Sequence, residues 1–87
     1  MTQAQIMAQA LAEVENELIV AIKRHGMPVD YHHGWGILAE EVEELFREIC
    51  RKDREQNPLK IAAEARQVAA VACKISMLAM MRAEAKR

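Results

Sequence analysis

Five glutamates, Glu40, Glu41, Glu43, Glu44 and Glu48, fall within nine residues of one expected helix. At roughly 100° per residue, Glu40 and Glu43 point away from its apolar seam, while Glu41, Glu44 and Glu48 share one flank. Like charges three and four residues apart repel by roughly 0.2–0.5 kcal/mol per pair. Three carboxylates half-facing a core are therefore costly unless a cation neutralises them. The next expected helix repeats the pattern. With Ile61, Ala65, Val68 and Ala72 as its seam, Glu64 and Gln67 occupy the matching flank. Antiparallel packing would set an E-x-x-E ladder against an E-x-x-Q ladder. Glu41, Glu44, Glu64 and Gln67 form an oxygen-only donor set, which suits Mg²⁺ or Mn²⁺ rather than zinc. The plainer reading of the same residues is a solvated flank paired with Arg47, Arg51 or Lys60.

A divalent ion lowers the pKa of bound water and offsets charge on phosphate oxygens. Glu44 or Glu48, beside the tightest metal position, is then the candidate to take a proton from that water. Lys74 is the sole charge in the run 68–81 and lies two turns beyond Gln67 on nearly the same flank. It can meet a phosphate, or simply snorkel from the bundle edge. Trp35 can stack on a base or fill a core. His33 is a candidate substrate contact, but His32 and His33 are adjacent and lack the helical spacing of a zinc pair.

These groups need helices to position them. Hydrophobic residues make up 52% of the 87-residue chain and aromatics only 3%, a helix-forming mixture and not that of a sandwich or barrel. The expected architecture is all-α: one domain, 1–87, in an antiparallel bundle with helices at about 3–25, 35–54 and 58–82. Thr2 and Gln5 form a capping box for the first helix, and Gly26 and Pro28 end it. The segment 27–34 is expected to be a loop. Trp35, Leu38, Val42, Leu45 and Ile49 form the seam of helix two, and Asn57-Pro58 starts helix three. The run 68–81 is apolar almost all round, which predicts burial on more than one side. A homodimer or homotetramer joined through helix three follows from that expectation.

At the acidic positions the sequence resembles a family. EEVEEL (Glu40 to Leu45) and, with 19 residues between Glu44 and Glu64, Glu64-Ala-Arg-Gln67-Val are similar to the E-x-x-E … E-x-x-D pattern of MazG-like nucleotide pyrophosphohydrolases. These belong to the all-α NTP pyrophosphatase superfamily. The stretches HHGW, ahead of the first motif, and QVAAVA, at the end of the other, resemble small MazG-like proteins of phage or mobile DNA. The likeness covers about 35–76. The resemblance implies Mg²⁺ held between the two motifs and cleavage of a nucleoside triphosphate to monophosphate and pyrophosphate. It assigns Glu41 and Glu44 to the first motif and Glu64 to the second. Gln67 stands where the pattern has Asp, so it offers an amide oxygen without charge.

The net charge of −1 gives no general attraction to nucleic acid or an anionic membrane. All three histidines lie outside the acidic motifs, against the Glu-x-x-His pattern of a di-iron bundle. An acidic helix two is unlike a DNA-recognition helix. No stretch is long enough to span a membrane, and the first residues lack the pattern of a secretion signal. Cys50 and Cys73 show no zinc or redox spacing. A cytoplasmic location with reduced thiols is expected. The alternative to an enzyme is a non-catalytic or degenerate helical oligomerisation or regulatory module on the same scaffold.

Overall fold

Local sequence signals start each helix. A computed structural model describes residues 1–86, in the order α1 (Gln3–His25), α2 (Tyr31–Ile49), a 3₁₀ turn (Asp53–Glu55) and α3 (Pro58–Ala85). No strand occurs among the described residues. The Thr2 hydroxyl accepts from the Gln5 N–H at 3.1 Å, and the Thr2 N–H donates to Gln5 Oε1 at 2.8 Å, closing the capping box. Gly26, at φ 70°, turns the chain out of α1 in a conformation that favours glycine. Asn57 Oδ1 accepts from the N–H groups of Leu59 and Lys60 and caps α3, with Pro58 in its first turn.

Helix two differs from expectation at both ends. It begins at Tyr31, because Asp30 Oδ1 accepts from the His33 N–H at 2.7 Å and acts as its cap. Residues 31–34 are thus helical and not loop. Gly34 sits within the helix because α3 crosses closely there: a Cβ at this position would lie 2.8 Å from Ile75 Cγ1. The helix stops at Ile49, and the Gln56 side chain donates to the Ile49 carbonyl at 2.9 Å in the turn that follows. Replacing Gly34 by Ala is expected to destabilise the protein by about 1 kcal/mol. Overpacking costs about 1–3 kcal/mol, partly offset by the ~1 kcal/mol helix preference of Ala over Gly. Urea titration checks this, since a methyl in open space would instead stabilise.

Helix three is the middle of the molecule. It packs against both α1 and α2, which do not pack on each other. The pairs Glu48–Lys60, Glu41–Glu64 and Gly34–Ile75 run in opposite senses, so α2 is antiparallel to α3. Glu13 and Glu17 of α1 meet Arg66 and Gln67, while His25 reaches the neighbourhood of Lys74, so α1 runs parallel to α3. Arg82 ties the far end of α3 to the start of α2. It donates to the Val29 carbonyl at 3.1 Å and lies 4.6 Å over the Tyr31 ring.

The bundle is therefore an open layer, measuring 51 × 29 × 21 Å. Its buried apolar residues among those described are Ala70, Val71 and Leu78 on the middle helix, with Pro28 at the connection from α1 to α2. The all-round apolar run 68–81 is explained largely within the chain, because two helices flank it. Only Ala72, Ser76, Ala79, Met80 and Met81 of that run are exposed. The expected seams are shifted as well. On α2, Trp35, Val42 and Ile49 are exposed, and Gly34, Leu38, Glu41, Leu45 and Glu48 lie on the side turned to α3. On α3, Ala65 and Ala72 are exposed, while Ala70, Val71, Lys74 and Leu78 are buried. On each helix the packed side is displaced from the most apolar stripe to its neighbour.

Candidate metal centre

Antiparallel crossing of α2 and α3 brings one turn of each helix to the same level. Glu41 and Glu44, one turn apart, face Glu64, and one carboxylate oxygen from each lies within 4.8 Å of the others. Opposite ligands of an octahedral Mg²⁺ lie about 4.2 Å apart, so small rotamer changes suffice to bring all three onto one ion. Glu41 and Glu64 are half-buried and Glu44 is exposed, which leaves the site open to solvent on one side. Among the described residues, no lysine or arginine pairs with any of the three.

The electrostatics reflect that crowding. Burial pushes the Glu41 carboxyl above its ordinary value, and the charges of Glu44 and Glu64 push it further. Proton uptake by Glu41 therefore stabilises the metal-free fold. That contribution is complete below the ordinary carboxylate range and is lost as pH rises through the raised value. A divalent cation would relieve the same repulsion without a proton, and the three carboxylates could hold one.

Glu48 has another role. It is 6% exposed and accepts from Arg51 Nε at 2.8 Å, with Lys60 Nζ at 3.4 Å on its other oxygen. Its hydrogen bond with Arg51, the largest influence, and its pairing with Lys60 hold the carboxyl below its ordinary value. The stability this pairing contributes is present above the ordinary range and is lost as pH falls through the lowered value. A carboxylate so held is a weak base. Of the two candidate bases, Glu48 ties the end of α2 to the start of α3, which leaves Glu44 beside the open side of the cluster.

Gln67 is turned to the opposite partner helix. Its amide N–H donates to Glu17 Oε1 of α1 at 2.7 Å, next to the Arg66–Glu13 ion pair at 2.9 Å. This bond gives the amide a structural reason to be where the resembled pattern has Asp, since an aspartate would face Glu17 with like charge. Gln67→Asp is therefore expected to lower metal-free stability by about 1–2 kcal/mol, through loss of a hydrogen bond to a charged group. Adding Glu17→Gln should recover most of that loss. Denaturation of both single variants and the double variant measures the coupling; additive losses would contradict it.

The remaining expected substrate contacts separate. Lys74 and His33 share one cleft near the α1–α2 connection, whereas Trp35 is 62% exposed on the outer side of α2. Ten residues of helix, or about 15 Å of rise, separate Lys74 from Glu64. Three cations outside the expected substrate contacts stand beside the cluster instead. Arg47, Arg51 and Lys60, with Glu44, Glu48 and Glu64, line a groove of about 200 Å³ beside the cluster. Their spacing carried the signal: Arg47 and Arg51 stand three and seven residues after Glu44, and Lys60 stands four before Glu64.

Comparison with known protein families, curated proteins and solved structures found no match. The resemblance to MazG-like enzymes therefore rests on short stretches of the sequence alone. No helix among the described residues is long and apolar enough to cross a membrane. Cys50 and Cys73 are both free thiols.

Proposed function

We propose that this protein is a Mg²⁺- or Mn²⁺-dependent nucleoside triphosphate pyrophosphohydrolase, converting a (d)NTP and water to a (d)NMP and pyrophosphate. The observation that carries the reading is the Glu41–Glu44–Glu64 cluster, three unneutralised carboxylates within 4.8 Å beside a groove lined by three cations. The bound ion would supply Lewis acidity toward a phosphate oxygen and a more acidic water. Glu41, Glu44 and Glu64 would hold it. Glu44, exposed at the open side, would accept the proton of the attacking water. Arg47, Arg51 and Lys60 would orient phosphate oxygens through charge-assisted hydrogen bonds. Lys74 and His33, in a separate cleft, and Trp35, exposed on the outer side of α2, would not meet the metal-bound phosphates.

Association between copies is part of the proposal, with its seat moved from helix three to helix two. Trp35, Val42, Phe46 and Ile49 fall within about 60° of one another on α2, and all four are exposed. Such a stripe is unusual on a monomer of this size. It also favours the second reading, a non-catalytic oligomerisation module. Incubation with the (d)NTP set and Mg²⁺, with separate detection of pyrophosphate and orthophosphate, decides between them. Pyrophosphate with equimolar monophosphate supports the enzyme. Release of orthophosphate together with a nucleoside diphosphate contradicts the bond assignment, and a stable oligomer inert toward all of them leaves the module.

A further inference from the structure

Packing within the chain leaves the most apolar stripe of α2 and of α3 largely uncovered. On α2, Trp35, Val42 and Ile49 are exposed and Leu38 and Leu45 half-buried; on α3, Ala65 and Ala72 are exposed and Ile61 and Val68 half-buried. Both stripes lie on one side of the antiparallel pair, away from α1. At about 100° per residue, the α2 stripe turns one way from the α3-facing side, and Ile37, which shares a cleft with His25 of α1, turns the other. On α3, Arg66 and Gln67 bond to α1, and the stripe lies on the far side of Glu64 from them. Within about 60° of either stripe's centre there is no Asp, Glu, Lys or Arg over 35–49 or 61–79, in a chain that is 29% charged. A solvated helix face ordinarily carries charge, and its absence marks the core of an interface.

The uncovered area says how large that interface is. The accessible surface of 6758 Å² exceeds the roughly 5,200 Å² of a compact 9.9 kDa monomer by about 1,500 Å². A standard interface hides about 800 Å² per partner, and an obligate homodimer hides more, so one helix stripe does not account for the excess. We propose that the whole α2–α3 face is covered by the same face of a second copy, about a twofold axis running along the helices. This rests on the association proposed above and assigns α3 half of the contact. The pairs Gly34–Ile75 and Glu41–Glu64 set Trp35 level with Ala72 and Val42 level with Ala65. An axis along the helices lays α2 of one copy over α3 of the other at that same level. Trp35 then meets the partner's Ala72 and Val42 the partner's Ala65, large against small as in a packed core. An axis across the helices would stack α2 on α2 and leave the two alanine rows facing a void. The residues lining the groove beside the glutamate cluster all lie outside this face, so association leaves both sites open.

Sedimentation equilibrium of the whole protein in EDTA, with Ala65→Lys, Ala72→Lys and Phe46→Lys, tests the α3 half. Both alanines are exposed in the single chain, so lysine there should keep the helicity and weaken self-association at least tenfold. Glu44→Gln should associate as the wild type does, so failure of the metal reading does not touch this one. Dissociation by Phe46→Lys with undiminished association of both alanine variants overturns the α3 half and leaves the α2 contact standing. A wild-type monomer at tens of micromolar overturns both. The axis is read by a short bismaleimide on Val42→Cys and Ala65→Cys proteins, each in a Cys50→Ser, Cys73→Ala background. Cross-linked dimer is expected only when the two are mixed. Cross-linking of Val42→Cys with itself, or none in the mixture, overturns the arrangement.

Discussion

Glu44→Gln is expected to reduce Mg²⁺-dependent pyrophosphate release by about 10²–10⁴-fold, the range for losing a positioned general base, while helicity stays unchanged. The carboxylate is exposed and would ligate from the open side of the cluster. Glu41→Gln should also abolish turnover, but with a different signature. Its carboxyl is crowded by burial, Glu44 and Glu64. Neutralising it should stabilise the metal-free protein by about 0.5 kcal/mol, or ~2–4 °C for a chain of this size, and erase the thermal gain from Mg²⁺. Glu48→Gln supplies the contrast. It leaves Arg51 and Lys60 without their shared carboxylate, so it should lower stability first and turnover only through that loss. Steady-state kinetics with melting curves at zero and saturating Mg²⁺ separate the three variants. Undiminished turnover by Glu44→Gln would remove it from the site.

Phe46→Lys is expected to weaken self-association by about 100-fold or more. A central aromatic at an interface contributes on the order of 2 kcal/mol or above, and the substitution also forces an ammonium into a desolvated contact. Phe46 is 64% exposed and touches no core, so the monomer should keep its fold and its melting cooperativity. Met81→Lys is the control, because Met81 is exposed on the helix that the apolar run alone would have chosen. Sedimentation equilibrium across a concentration series reads both. Dissociation by Met81→Lys with no effect of Phe46→Lys would return the contact to helix three. A wild-type monomer at tens of micromolar would end the proposal for either helix.

The sequence by itself determined the helices and most of their ends. Thr2 with Gln5, Gly26, and Asn57 with Pro58 act through bonds to neighbours within a few residues, so their effect is readable without knowing the fold. It also determined that Glu41, Glu44 and Glu64 can converge, because helical spacing puts the first two on one flank and antiparallel pairing brings the third to their level. Asp30 could have been read as a cap; with Pro28 and Gly34 it resembled the punctuation of a loop instead.

Only the tertiary structure decided which flank of each helix faces inward. A stripe of Trp35, Val42 and Ile49 is more apolar than the neighbouring side that carries Glu41 and Glu48, yet the neighbouring side packs on α3. Gly34 lets α3 approach there, and Arg51 with Lys60 neutralises Glu48 at the other end. The close approach at Gly34 and the Lys60 contact both depend on residues more than ten positions away in the chain. For the same reason Gln67 pairs with Glu17, fifty residues earlier, and Lys74 meets His25 and His33 around one cleft. Periodicity ranks the faces of an isolated helix by apolarity, whereas a middle helix with two neighbours buries two faces and must satisfy the charges on both.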